Sequence, residues 1–189
     1  MNGLFDMESN DIRGLNYTYN ADGYIWKYLG VDKTTARAAS ENDQNYIIYR
    51  LADVLLMKAE ALIMQGHNED AADLIDRTRE RAGLGETTLS DDRMVMLETL
   101  LVERQKEFFG EGKNWFDLLR IGLRSEQLND TQYKTLFVEQ ALKAVGASRQ
   151  SLGRATLANS GSWYLPYSED ELSKNPLLEQ SDYYQSISN

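Results

Sequence analysis

The sequence predicts an all-α protein built from tetratricopeptide-like helical hairpins, and three observations carry that prediction. Ile47, Leu51, Val54, Leu55, Ala59 and Leu62 recur at helical i, i+3, i+4 spacing. A second amphipathic stretch, 69–82, follows after only "QGHN", a connection short enough to fold two helices back on each other. Beyond it, two more helical stretches flank the breaker "GEG" at 110–112 and repeat the arrangement.

Residues 1–46 are rich in Gly, Asn, Asp and Tyr and hold no sustained period. They are expected to form an irregular, loop-rich lead-in with short strands at "LNYTY" and "GYIWKYLG". The first helix is placed at 47–65, ended by Gly66. The second spans 69–82, with Asn68 as N-cap, acidic Glu69 and Asp70 in its first turn, and Gly83 as terminator. Small Ala59 and Ala71 fall where two close-packed helices meet, with Leu55 and Ile75 as larger neighbours, the spacing of a tetratricopeptide-type repeat.

A third helix begins at "LSDDRM", with Ser90 as cap and a Leu89–Met94 staple, and runs to Phe109. "KNWFDLLRIGL" gives a fourth, shorter one. Thr131 to Val145 predicts one more helix, and "GASRQSLGRATLANSGS" reads as loop. Near the end, "WYLPY" is strand-like. A short helix follows, opened by the Ser168/Glu171 capping box and a Tyr167–Leu172 staple and stopped by Pro176. This organisation is one domain over 1–189: lead-in 1–46, hairpins 47–123, and a variable loop region with a C-terminal clamp over 124–189.

Composition removes several function classes. A net charge of −10 and a pI near 4.6 disfavour nucleic acid and anionic lipid, which need a basic footprint. No apolar run approaches the ~20 residues of a membrane span, so the chain itself is expected to be soluble. "MNGLFDMESNDIRG" has neither the basic nor the apolar region of a secretory signal. The absence of Cys removes disulfides, thiol catalysis and sulfur-ligated metals, and a lone His67 in a predicted turn leaves no His-based site. No metal and no cofactor is expected.

The stretch "ERQKEFFGEGKNWFDLLR", 103–120, mixes acidic, basic and aromatic residues. On a helix, Leu97, Leu100, Leu101, Arg104 and Phe108 share a face, with Glu103 and Glu107 beside it. The first helix carries Arg50, Asp53 and Glu60 among leucines, and Asp117 and Arg120 flank the fourth. These residues predict an interhelical ion-pair network in which Arg50, Arg104 and Arg120 pair with Asp53, Glu60, Glu103, Glu107, Glu111 or Asp117. Such a network gives little net stability but penalises a slipped register, which leaves a buried charge unpaired. The competing reading makes Glu103 and Glu107 a glycosidase-type pair. That pair needs carboxyls roughly 5–10 Å apart, a distance that any i, i+4 helix pair meets.

Four blocks in order, "YRLADVLLMKAEAL", "RTRERAGL", "ERQKEFFGEGKNWFDLLRIG" and "YLPYSEDELSKNPLLEQ", resemble the C-terminal half of the SusD/RagB family. That family's usual forms are close to R-Y-A-D-V-L-L-x-x-A-E-A, R-x-R-A-G, E-R-x-x-E-x-x-x-E-G-x-R-W-F-D-L-x-R and P-I-P-x-x-E-x-x-x-N-P-x-L-x-Q. Matching positions include Arg50, Asp53, Glu60, Glu103, Arg104, Glu107, Glu111, Gly112, Trp115, Asp117, Arg120, Pro166, Glu171, Asn175, Pro176 and Gln180. Asn114 departs from the family's usual Arg, "YLP" from P-I-P, and "SDYY" from the family's N-x-G-Y. Family members run to several hundred residues, so this chain looks like a C-terminal portion.

The resemblance implies an all-helical, non-catalytic protein at the surface of the Gram-negative outer membrane. It implies a lid on a TonB-dependent (SusC-like) outer-membrane transporter that captures glycans or other nutrients, with an oligo- or polysaccharide ligand. Membrane association would come only through a lipid anchor absent from this chain. The alternative is a generic tetratricopeptide-like scaffold that binds only protein.

Sugar recognition uses aromatic faces with amide and carboxylate partners. Tyr17, Tyr19, Tyr24 and Trp26, with Asn16 and Asn20 nearby, are the candidate ligand-binding residues, because loop aromatics have less packing reason to exist. The plainer reading of "YIWKY" is a half-buried strand covering the helices. Trp115, Trp163, Phe108 and Phe109 are expected in the core.

Overall fold

Arg50 decides where the first helix begins. Its backbone is extended (φ −147°, ψ 171°) and its N–H donates to the Asp53 carboxylate at 3.1 Å. In the computed structural model, which describes residues 4–5, 10–14, 18–19, 25–28, 45–143 and 145–187, α1 therefore runs Leu51–Gln65, four residues later than the apolar period suggests. Ile48 and Tyr49 are left extended and exposed. Gly66 ends α1 in the left-handed region (φ 82°), as a helix C-terminus favours.

Helix α2 (Asn68–Arg81) is preceded by His67, so Asn68 opens the helix rather than capping it. The Asn68 side chain donates to the Ser90 carbonyl at 2.8 Å instead. Helix α3 (Arg93–Glu107) is capped by Asp92, whose carboxylate accepts from the Met94 N–H at 2.7 Å. Ser90 is not the cap, because its hydroxyl accepts from the Asp92 N–H one step earlier.

The three helices bury Leu56, Ala59, Ile63, Ala71, Ile75, Met96, Leu97, Leu100 and Leu101. Ala59 and Ala71 are fully buried and hold no side chain that would push α1 and α2 apart. After α3 the chain turns through Gly110 (φ 80°) and Gly112 (φ 71°), both in a region that favours glycine. Gly110 also meets Ile25: a Cβ there would lie 2.8 Å from the Ile25 side chain. Helix α4 (Asn114–Leu128) then continues five residues past the expected end at Leu123.

The chain gathers into two compact units, 1–120 and 121–189. In the second, α5 (Thr131–Leu142) is capped by Asp130, and α6 (Ala147–Leu157) occupies the segment expected to be loop. The sequence hides α6 because it has no apolar stripe: Leu152 is exposed and no residue of the helix is buried. Its partners hold it in place. Arg154 pairs with Glu139, and Gly153 leaves room for Leu142, which lies 2.5 Å from where a Cβ would sit. The core of this unit stacks Trp163 on Phe137 (centroids 4.3 Å apart) over Gly122, with Tyr133 fully buried.

Helix α7 (Glu169–Lys174) starts where Ser168 accepts from the Glu171 N–H at 3.3 Å. The strand-like 163–167 segment pairs with no strand. Gln180 supplies one rung of a ladder instead, its amide accepting from the Tyr167 N–H (3.2 Å) and donating to the Tyr167 carbonyl (3.0 Å). Helix α8 (Asp182–Ile187) closes the described chain and was not expected. Among the described residues there is no strand: of the two predicted in the lead-in, 15–17, 23–24 and 29–30 lie outside the described residues, and the rest holds a single Tyr19–Ile25 bridge and a 3-10 turn at Trp26–Tyr28.

Candidate functional site

The last turns of α3 aim Glu103, Glu107 and then Glu111 of the glycine turn into one buried column. Three arginines from three segments converge on Glu107: Arg13 (3.0 Å), Arg50 (2.5 Å) and Arg81 (2.6 Å). Glu111 takes Lys27 (2.8 Å), Arg50 (2.9 Å) and Lys113 (3.2 Å). Glu103 accepts from Arg13 (2.6 Å) and from the Thr78 hydroxyl (2.8 Å).

Further along, Arg104 makes two parallel bonds to Asp117, both 2.8 Å, and stands 3.8 Å from Asp53. Asp53 takes Lys113 at 2.5 Å. Arg120 holds Glu60 with two bonds (3.0 and 2.7 Å) and reaches Asp117 at 3.0 Å. Arg50, Asp53, Glu60, Glu103, Arg104, Glu107, Asp117 and Arg120 thus join one continuous net within residues 1–120. Phe108 sits inside it, with Arg50, Arg104 and Lys113 each within 5 Å of its ring centre.

Burial by itself would raise the Glu107 carboxyl, but Arg50, Arg81 and Arg13 hold it below the ordinary carboxylate range. Glu111 is likewise desolvated and likewise pulled down by Arg50 and Lys27. A general acid working at neutral pH needs a carboxyl moved the other way. Glu107 and Glu111 are thereby held as carboxylates, which suits a lock on helix register.

Arg13, Asp11, Lys27, Thr78, Arg81 and Lys113 were missed by sequence reasoning. Arg81 and Lys113 bracket the helices and offered a signal through the turns they flank. Arg13 and Lys27 lie in segments without period, where no spacing points at α3.

The aromatic candidates divide. Tyr17 and Tyr24 lie outside the described residues. Tyr19 is 8% exposed and its ring packs against Phe5 and Phe109, with centroids 6.0 and 5.4 Å away. Trp26 is half-buried in its 3-10 turn, and its backbone N–H donates to Thr18 at 2.7 Å. Other rings face solvent. Trp115, expected in the core, is 40% exposed and Phe116 67%, because the face of α4 that turns inward carries Asp117, Leu118 and Ile121. Tyr49, 74% exposed, has the Lys113 ammonium 5.7 Å from its ring centre. A groove of about 870 Å³ along α2 and residues 84–89 is lined by Asp73, Asp76, Glu80 and Glu86 among others, with no aromatic ring in its wall. No helix of the described residues is long and apolar enough to cross a membrane.

Paired helices locked by a buried ion net, with aromatic rings displayed at the edges, define a helical-hairpin scaffold. The chain belongs to the SusD family, whose model matches residues 6–184. It is 37% identical over 89 residues to SusD-like protein P38 of Formosa agariphila, covering 43% of this chain and 18% of that protein. Against SusD-like protein P25 of the same organism it is 29% identical over 89% of this chain and 28% of the relative. Among solved structures, it is similar to a SusD superfamily protein of Bacteroides fragilis (TM-score 0.51, 28% identity, 72% of this chain and 28% of that one). A second SusD superfamily protein, from Bacteroides thetaiotaomicron, gives a TM-score of 0.51 at 26% identity over 74% of this chain and 26% of that one. The chain therefore spans under a third of the length of the relatives it matches.

Proposed function

We propose that this chain is part of a surface protein that captures glycans or other nutrients, without breaking bonds, for import through a TonB-dependent outer-membrane transporter. Membership of the SusD family carries this reading. Glu103 and Glu107, the pair that a hydrolase reading would need, are buried and spent on ion pairs with Arg13, Arg50 and Arg81, which supports a role without bond breaking. The rings supply the contact chemistry: flat apolar faces stack on sugar rings while nearby polar groups take the hydroxyls. Trp26 in the lead-in, with Tyr49 and Trp115 at the rim of the net, are the faces to test. The acidic α2 groove offers hydroxyl acceptors but no stacking face.

The test is retardation of the purified, helical chain in native gels containing a panel of polysaccharides, repeated with Trp26→Ala, Tyr49→Ala and Trp115→Ala. Retardation that one of these substitutions removes places a glycan surface on this chain. A folded sample that no polysaccharide retards sinks glycan capture by this chain and favours the protein-only scaffold.

A further inference from the structure

The described lead-in lies against the hairpins by two kinds of anchor. Phe5 and Tyr19, outside residues 10–14 and 25–28, pack their rings with Phe109. The anchor of residues 10–14 and 25–28 is mainly ionic. All three guanidinium nitrogens of Arg13, itself 6% exposed, are engaged: Nε and Nη2 with Asp11 (both 2.9 Å), and Nη1 with Glu103 (2.6 Å) and Glu107 (3.0 Å). Lys27 adds bonds to the Glu107 carbonyl and the Glu111 carboxylate, both 2.8 Å. The Ile12 N–H donates to the Ala82 carbonyl at 3.0 Å.

Two features make the ionic anchor separable. Arg13 carries its counter-charge with it, because Asp11 belongs to the same segment. The carboxylates it would leave behind all keep partners on the hairpins or beside them. Glu103 keeps Thr78 (2.8 Å) and Arg79 (3.9 Å); Glu107 keeps Arg50 and Arg81; Glu111 keeps Arg50 and Lys113. The large penalty for stranding a buried charge is therefore avoided for these three carboxylates and for Arg13, while Lys106 on α3 gives up its 3.6 Å contact with Asp11.

We propose that residues 10–14 and 25–28 form a strap that lifts from α1–α3 as a local unit while the hairpins stay folded, with the Arg13 guanidinium as its latch. Lifting leaves a receptor between Glu103 and Glu107 that fits a planar guanidinium in preference to a compact ammonium, because it offers acceptors in a fork. This inference is independent of the glycan reading.

The deciding experiment is native-state hydrogen exchange on the full chain, comparing the Ile12 amide with amides inside α1 and α3. In Arg13→Ala, Ile12 exchange is expected to quicken by at least ~10-fold while α1 and α3 keep their protection. Millimolar methylguanidinium should restore much of the Ile12 protection, and methylammonium should not. Parallel loss of protection in α1 and α3 overturns the proposal, as does unchanged Ile12 exchange or equal rescue by both cations. Should Arg13→Ala not fold, the wild type decides. Ile12 exchange with a weaker denaturant dependence than α3 supports the strap, and a shared dependence refutes it.

Discussion

Arg104 and Asp117 face each other across the α3–α4 turn through two parallel N–H···O bonds of 2.8 Å, both residues almost wholly buried. The pair fixes which turn of α4 lies beside which turn of α3. Removing one partner leaves the other desolvated with, among the described residues, a single remaining ion-pair partner, Arg120 at 3.0 Å for Asp117 and Asp53 at 3.8 Å for Arg104, so Arg104→Met or Asp117→Leu alone is expected to destabilise by up to ~3–5 kcal/mol. The double substitution should recover a large part of that loss. Urea unfolding of the four members of the cycle measures it, and additive losses would show that the pair does not couple.

Acid should loosen the net. Glu107 and Glu111 lie below their ordinary 4.5, and Asp11 below 3.8, although desolvation pulls all three upward. A carboxyl depressed in the fold contributes stability that is complete above its unfolded value and is lost as pH falls through its folded one. The urea midpoint is therefore expected to be flat near neutrality and to drop below about pH 4.5, the ordinary glutamate value from which the depressed groups are displaced. A midpoint that rises with acid would contradict the depressed values.

Gly122 has ordinary backbone angles, yet a Cβ there would lie 3.0 Å from both the Phe137 and Trp163 rings. Gly122→Ala is expected to cost ~1–3 kcal/mol through overpacking. Gly85, with open space around it, is the control, and Gly85→Ala should change stability by less than ~0.5 kcal/mol. Thermal melts of the two variants side by side test the contrast.

The Tyr46 hydroxyl donates to the Glu111 carbonyl at 2.7 Å, while its ring stacks on Tyr28 at 6.2 Å. Tyr46→Phe keeps the ring and should lose only the bond, ~0.5–1.5 kcal/mol. Tyr46→Ala should lose distinctly more. Equal losses in unfolding experiments would assign the residue's whole contribution to its hydroxyl.

What the sequence made legible follows from periodicity. The period of Ile47, Leu51, Val54, Leu55, Ala59 and Leu62, with Gly66, gave the hairpin of α1 and α2, but the face that α1 buries is Leu56, Ala59 and Ile63, and Leu51 and Val54 are exposed. Glu103, Arg104 and Glu107 could be seen to border an apolar stripe. The start of α1 could not be placed, because Ile47 continues the apolar period while the Arg50 N–H is drawn into a bond with Asp53. Helix α6 was illegible for the opposite reason, since its neighbours hold it and its own pattern is silent. Arg13 and Lys27 reach α3 from 90 and 80 residues away, from segments without period, and only the folded chain brings them there.

Gly153 gives this last point a historical side. A glycine in mid-helix weakens α6 by ~1 kcal/mol relative to alanine, yet Leu142 occupies the space that any side chain would need. A lineage that fills position 153 must swing the end of Leu142 aside or shorten it, and one that keeps both residues as they are keeps the weaker helix. Across the family, these two positions should record a single coupled choice.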